Sequence, residues 1–341
     1  MNDPVHIHDA ISPSEVPETA SAFLDWLPGP TLFRCRGRDS SRVRAVVGML
    51  HGNEPSGLVA IHQALRSPAL LAVDTVFFVG AVEAARTPPR HSQRMLPGRR
   101  DLNRCFGLRA TDAETRVAAA ALRLLTERVP EAALDLHNNT GENPAYGVGL
   151  RADDVRLGLT RLFARHYVHT EYRLGSLMEV IDPLCPIVTI EAGKAGDPAA
   201  DALATRGLAT FLSLPQLDAL PREPEVQVLH GAVRVELAPN LEVAYAAQTA
   251  GANADLVIDA NFDRHNFQEL VAETRVGWLR PTDVWPVVAI DPSGRDVARE
   301  LFHVREGKLL TRVSMTPIMI TTHPTIARAD CLFYAVAPGR P

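Results

Sequence analysis

RAVVGMLHGNEPSGLVAIHQAL (44–65) is the stretch on which the fold turns. RAVVGML (44–50) reads as a buried strand, and LVAIHQAL (58–65) has the spacing of the helix that follows it. Between them, HGNEPSG is a tight turn that gathers polar groups at the strand's carboxyl end. The same alternation repeats outward. TVFFVGAV (75–82), AALDLHN (132–138) and PIVTIEAG (186–193) read as strands. ETRVAAAALRLLTERV (114–129), with its basic residues late, and ALATRGLATFLSL (202–214) read as helices. Strands separated by helices from about Thr31 to Leu214 imply an α/β fold with a mostly parallel central sheet covered on both faces.

After LPQLDALPREPE (214–225), rich in proline and charge, the texture changes. VQVLHGAVRVELA (226–238) alternates like a strand, and VGWL, VWPVVAI, LLTRVSM and PIMITT follow as short strands between turn residues. The expected division is therefore an α/β domain over 1–225 and a mainly β domain over 226–341. The chain's 341 residues suit two domains. Lys plus Arg number 35 against 40 Asp plus Glu, a net charge of −5, which lacks the basic footprint of a general nucleic-acid binder. Four scattered cysteines make no disulfide framework, the start MNDPVHIHDAISPSEVPETA (1–20) does not read as a secretory signal, and no apolar run is long enough to span a membrane. A cytoplasmic protein with no nucleic-acid or membrane partner is expected.

The chemistry gathers where strands of the first domain end, which is where open parallel sheets bind ligands. His51 and Glu54 can aim an imidazole and a carboxylate at one point. Catalytic zinc takes three protein ligands, and His137, ending the strand in LDLHNNTG (134–141), supplies a third. Asp135, two residues earlier on the same strand face, is placed to accept the free N–H of His137. Taken singly, each histidine reads as an ordinary surface or hydrogen-bonded residue; the combination favours a metal. His62, His166 and His303 have no such company. In RHSQRMLPGRRDLNRCF (90–106), Arg90, Arg94, Arg99, Arg100 and Arg104 crowd together. They form either a solvated basic loop or an anion pocket, since guanidinium forks bind carboxylates bidentately. Glu191 in IVTIEAGKAG (187–196) emerges at the same sheet edge, as an ion-pair partner for Arg94 or Lys194 or as a general base.

The order G-x-x-HGNE-x-x-G, DLNR-x-F, DLHNNT and IEAG resembles the succinylglutamate desuccinylase/aspartoacylase family of zinc amidohydrolases. LVIDANFDRHNFQELV (256–271) is similar to that family's weaker C-terminal pattern. The resemblance implies a zinc carboxypeptidase-like domain with a β domain capping the active site. It implies one zinc held by His51, Glu54 and His137, with Glu191 as general base and Arg94 polarising the scissile carbonyl. Asn103 and Arg104 match the pair that grips a substrate carboxylate. The implied partner is a small N-acyl amino acid bearing a carboxylate, cleaved to a free amino acid and a small carboxylate, and a homodimer is the candidate assembly. Two alternatives stand beside this reading: a metallocarboxypeptidase or peptide amidase on the same scaffold, and a non-catalytic metal or small-molecule binding protein. The sequence also departs from the family. IDPLC (181–185) stands where aspartoacylases carry an arginine shortly before the base, and HPTIARADCLFY (323–334) offers Arg328 or Tyr334 but no clear counterpart to their C-terminal tyrosine.

Overall fold

A nine-stranded sheet carries the first part of the chain in the computed structural model, which describes residues 4–67, 71–247, 253–280 and 284–337. Its strands, in chain order, are β1 (His6–Asp9), β2 (Thr31–Cys35), β3 (Asp39–Gly48), β4 (Val73–Val79), β5 (Ala133–Asn139), β6 (Tyr146–Gly149), β7 (His166–His169), β8 (Ile187–Lys194) and β9 (Gln227–Leu229). The spatial order is β1-β2-β4-β3-β5-β8-β6-β7-β9. The centre is parallel, β3 pairing with β4 on one side and β5 on the other, while β2–β4 and β6–β8 are antiparallel. This is the α/β class that the alternating strands and helices imply.

The helices are α1 (Ala20–Trp26), α2 (Ser56–Arg66), α3 (Val82–Arg86), α4 (Ala113–Leu125), α5 (Asp154–Arg161), α6 (Leu177–Ile181) and α7 (Pro198–Ser213). Apolar residues recurring at helical spacing in α2 bury Leu58, Ile61 and Leu65 against Leu208, Phe211 and Leu212 of α7 and Val46, Leu134 and Val188 of the strands. Phe77 and Val79 of β4 join this core; Phe78, on the opposite face of the same strand, is also fully buried, and α4 packs against β4. Both faces of the sheet are thus covered. Caps follow local chemistry: the Asp112 carboxylate accepts the Thr115 N–H at 2.9 Å to start α4, which ends at Leu125, short of the expected 129.

Close packing divides the chain into two units. The first comprises Met1–Asn138, Ala145–Tyr167 and Tyr172–Val228; the second comprises Asn139–Pro144, Val168–Glu171 and Leu229–Pro341. The alternation of 226–238 is not one strand: β9 belongs to the nine-stranded sheet, His230 and Gly231 break the run, and β10 (Val233–Leu237) begins another. In the second unit β10 lies between β14 (Val287–Ile290) and β18 (Phe333–Val336), with β17 (Thr316–Ile318) outside β18. A five-stranded sheet runs β11 (Val243–Tyr245), β12 (Leu256–Ile258), β13 (Arg275–Leu279), β16 (Lys308–Thr311) and β15 (Phe302–Arg305). Two short helices, α8 (Ala298–Leu301) and α9 (Pro324–Ala329), complete it around a core that includes Val235, Phe262, Phe302 and Phe333. Within this unit the Glu142 N–H donates to Asp263 Oδ2 at 3.0 Å, and Asn266 Nδ2 to the Glu142 carbonyl at 2.8 Å. Among the described residues, no helix is long and apolar enough to cross a membrane.

Candidate metal centre and catalytic site

The site is built on the loop between β3 and α2. β3 ends at Gly48, Met49 turns the chain with φ of 55°, and α2 opens at Ser56. Two glycines make the path feasible. A Cβ on Gly52 would lie 2.5 Å from the Ala85 nitrogen and 2.7 Å from the Gln93 carbonyl oxygen. One on Gly57 would lie 2.9 Å from Gly48 Cα and from the Leu136 carbonyl oxygen. Side-chain-free backbone therefore lets the first turn of α2 sit directly on the ends of β3 and β5. The parallel register matters as much: Gly48 pairs with Leu136, so His137 stands one residue further, level with the start of the loop.

His51, Glu54 and His137 meet there, all buried, with candidate ligand atoms within 4.8 Å of one another. His51 Nδ1 lies 2.8 Å from Glu54 Oε1, and His137 Nδ1 lies 2.7 Å from Glu54 Oε2. Each imidazole has a carboxylate behind it. His51 Nε2 is 3.0 Å from Asp101 Oδ1. His137 Nε2 is 3.0 Å from Asp135 Oδ2, an ionic contact that forms because both side chains project from the same strand face. Burial pushes the Glu54 carboxyl up, but the two imidazoles outweigh it and hold it well below the usual carboxylate range. Burial likewise opposes charge on His137, and Asp135 and Glu54 together raise it well above an ordinary histidine.

Glu191 stands on β8, half-buried, in register with the fully buried Tyr146 of β6. Desolvation pushes its carboxyl up to about 7, with the Glu54 charge acting in the same direction and His137, His51 and Arg94 opposing. The structure therefore brings Glu191 within electrostatic reach of the three clustered side chains.

The basic stretch separates into two kinds of arginine. Arg90, Arg99 and Arg100 form exposed ion pairs with Asp25, Glu114 and Asp112, at 2.9, 3.3 and 2.7 Å. Arg94 points inward: its Nη1 is 3.3 Å from Glu54 Oε1, and its Nε donates to Asp101 Oδ2 at 2.9 Å. Gly98, with φ of 74°, makes the turn between Arg94 and Asp101. Arg104, half-buried, donates through Nη1 to the Asn103 carbonyl at 3.0 Å and acts with Arg94 on the Asp101 charge. Asn103 is buried, and its Oδ1 accepts the Leu177 N–H at 2.9 Å, at the start of α6. His62 and His303 have ordinary partners, the Pro17 carbonyl at 2.8 Å and Glu273 at 3.2 Å.

Two participants went unread in the sequence. Asp101, the one acidic residue among the arginines of 90–106, stands behind His51. Asn138 sits one residue past His137: its Oδ1 accepts the Ser56 N–H at 3.0 Å, and its Nδ2 donates to Ser56 Oγ at 2.9 Å and to the Gly193 carbonyl at 3.2 Å. Ser56 in turn donates to Asp201 Oδ1 at 2.6 Å. This buried network ties the strand of His137, the helix after Glu54 and the strand of Glu191. The polar doublet Asn138-Asn139 at the end of a buried strand was the available signal.

The succinylglutamate desuccinylase/aspartoacylase catalytic domain matches residues 42–214, a span that contains every side chain of this cluster. No curated protein matches the chain. Solved structures share the fold across nearly all of it. A putative succinylglutamate desuccinylase/aspartoacylase from Shewanella frigidimarina is 12% identical with a TM-score of 0.58, covering 90% of this chain and 92% of its own. The product-bound ectoine utilization protein EutE (DoeB) from Ruegeria pomeroyi is 16% identical with a TM-score of 0.56, covering 90% and 87%. Murine aminoacylase 3 is 18% identical with a TM-score of 0.52, covering 88% and 96%. With the catalytic-domain match taking in half the chain, and the His-Glu-His cluster lying inside it, the protein belongs to the succinylglutamate desuccinylase/aspartoacylase family.

Proposed function

We propose that this protein is a zinc-dependent hydrolase that cleaves the amide bond of an N-acyl amino acid, releasing the amino acid and a small carboxylate. One observation carries the reading: two imidazoles and a carboxylate from separate segments converge in a buried cluster, with a carboxyl poised near neutrality beside them. The donors suit zinc, two nitrogens and an oxygen, each imidazole backed by a carboxylate. Asp135 supports the fit: fully buried, its carboxylate lies 3.0 Å from Nε2 of His137, which leaves the other ring nitrogen of that imidazole facing the cluster as a ligand atom.

His51, Glu54 and His137 would hold the ion. When bound, a divalent metal supplies Lewis-acid polarisation of the carbonyl and lowers the pKa of water to about 7. Glu191 accepts a proton from the attacking water and passes it to the departing nitrogen, a transfer for which a pKa near the working pH is best suited. Arg94, held by Asp101, presents its guanidinium to the oxygen on which charge develops. Asn103 and Arg104 take the substrate's carboxylate and fix the amide over the cluster. The direct test uses purified protein, with and without chelator, against N-acetylaspartate, N-succinylglutamate and a short peptide. Turnover of an N-acyl amino acid that chelator abolishes and zinc restores is the expected result. Preferential cleavage of the peptide would favour the carboxypeptidase alternative, and full activity in chelator would remove the metal from the reaction.

A further inference from the structure

Asp101 touches both halves of the site. Its Oδ1 lies 3.0 Å from His51 Nε2 and accepts the Asn103 N–H at 2.8 Å. Its Oδ2 takes two nitrogens of Arg94, Nε and Nη2, each at 2.9 Å. The third nitrogen of that guanidinium, Nη1, lies 3.3 Å from Glu54 Oε1, the same oxygen that His51 Nδ1 meets at 2.8 Å. Arg94 therefore stands as a rival cation at a candidate metal ligand, and its grip on Asp101 is independent of that ligand. A carboxylate behind an imidazole also fixes its tautomer: with Nε2–H donating to Asp101, Nδ1 faces the cluster with its lone pair.

We propose that Asp101 is a positioning residue that locks His51 and Arg94 to each other, so that Arg94 stays at the site when a cation takes up Glu54. The inference rests on the zinc-hydrolase reading above and deepens it: holding the metal and polarising the carbonyl become functions of one carboxylate. Asp135 provides the contrast, since its oxygens have no hydrogen-bond partner and its close contact is with His137.

The test measures zinc affinity of the full chain by chelator competition, together with kcat and KM at saturating zinc on whichever N-acyl amino acid the wild type cleaves fastest. Asp101→Asn keeps the shape but turns its amide N–H groups either toward Arg94 or toward His51 and the Asn103 N–H. Its zinc affinity falls about 10–100-fold. At saturating zinc its kcat still falls, by about 10²–10³ if Arg94 is lost as an oxyanion donor. Asp135→Asn also weakens zinc, but its loss of kcat at saturating zinc is at least about tenfold smaller, because its carboxylate holds no oxyanion donor. Arg94→Met removes the rival cation, so zinc binds at least as tightly while turnover drops. Thermal melts without zinc report whether each variant folds, and Asp101→Ser, which vacates all three contacts, stands in if the Asn variant does not. A wild type that takes up no zinc overturns both this inference and the functional reading. A wild type that binds zinc and turns over, with Asp101→Asn recovering full kcat once zinc is saturating, overturns the inference alone. Weaker zinc binding by Arg94→Met overturns it as well.

Discussion

Glu191 is a carboxyl that burial lifts to about 7, beside groups of both signs. As a base it must be ionised, so activity is lost as pH falls through its pKa and kcat/KM rises with pH along an acid limb. A bound divalent charge pulls the carboxyl downward, as His137, His51 and Arg94 already do. The limb of the metal-loaded enzyme therefore lies below pH 7, and a pH profile whose acid limb falls above 7 contradicts this assignment. Glu191→Gln should lower kcat by about 10²–10⁴ while zinc content stays at one per chain; loss of the metal would instead make Glu191 a ligand. Arg104→Ala should raise KM for carboxylate-bearing substrates by about 10-fold or more, the worth of one charge-assisted bond of about 1.5–3 kcal/mol. Unchanged kinetics would return Arg104 to a purely structural role with Asn103. The clustered residues were legible because His51 and Glu54 follow an apolar strand and His137 and Glu191 stand in the last residues of two others. Asp101 was not, since its partner lies fifty positions earlier and only the folded path of the 90–106 loop makes them neighbours.

At the scale of elements, helices and strands with long apolar periodicity were read to within a few residues, α2 and α7 among them. β6, β7 and α6, of four or five residues each, carry too few side chains for a period to show. Arg44 is the opposite case. It lies inside β3, fully buried, because its Nε reaches Glu131 at 2.7 Å and its guanidinium stacks over Phe211, and neither partner is local in sequence. The contact between α2 and the strands beneath it is tight enough to test. An alanine at Gly57 gains about 0.8–1 kcal/mol of helix propensity. It also drives a methyl group to 2.9 Å from backbone atoms of Gly48 and Leu136, which cannot rotate away. Overpacking costs about 1–3 kcal/mol, more where only backbone can move, so the clash wins and Gly57→Ala destabilises the fold by about 1–2 kcal/mol. Since α2 follows Glu54 directly, zinc affinity should fall with it. A chemical-denaturation midpoint equal to or above the wild type's would show that the helix has room to shift.

Across the whole molecule, the change from α/β texture to short strands near residue 225 was visible as a change in periodicity. Membership of Asn139–Pro144 and Val168–Glu171 in the unit of Leu229–Pro341 was not, because joining segments distant in the chain leaves no local pattern. Each unit has its own buried apolar cluster, and the metal cluster lies wholly in the first. A metal held there would therefore be linked to the folding of that unit: the three side chains come from the loop at 51–54 and the strand at 137, and an unfolded chain does not hold them together. Zinc at 100 times its Kd should stabilise the folded state by about 2.7 kcal/mol. For a unit of this size each kcal/mol moves Tm by about 2–4 °C, so the transition should rise by about 5–10 °C over the chelator-treated protein. His51→Ala removes one ligand and should abolish most of that rise, while its chelator-treated melt falls below the wild type's because Glu54 and Asp101 lose a buried partner. Scanning calorimetry of the full chain, with zinc and with chelator, reads both. A wild-type transition indifferent to zinc would mean that the three side chains form a buried ion-pair cluster and hold no metal.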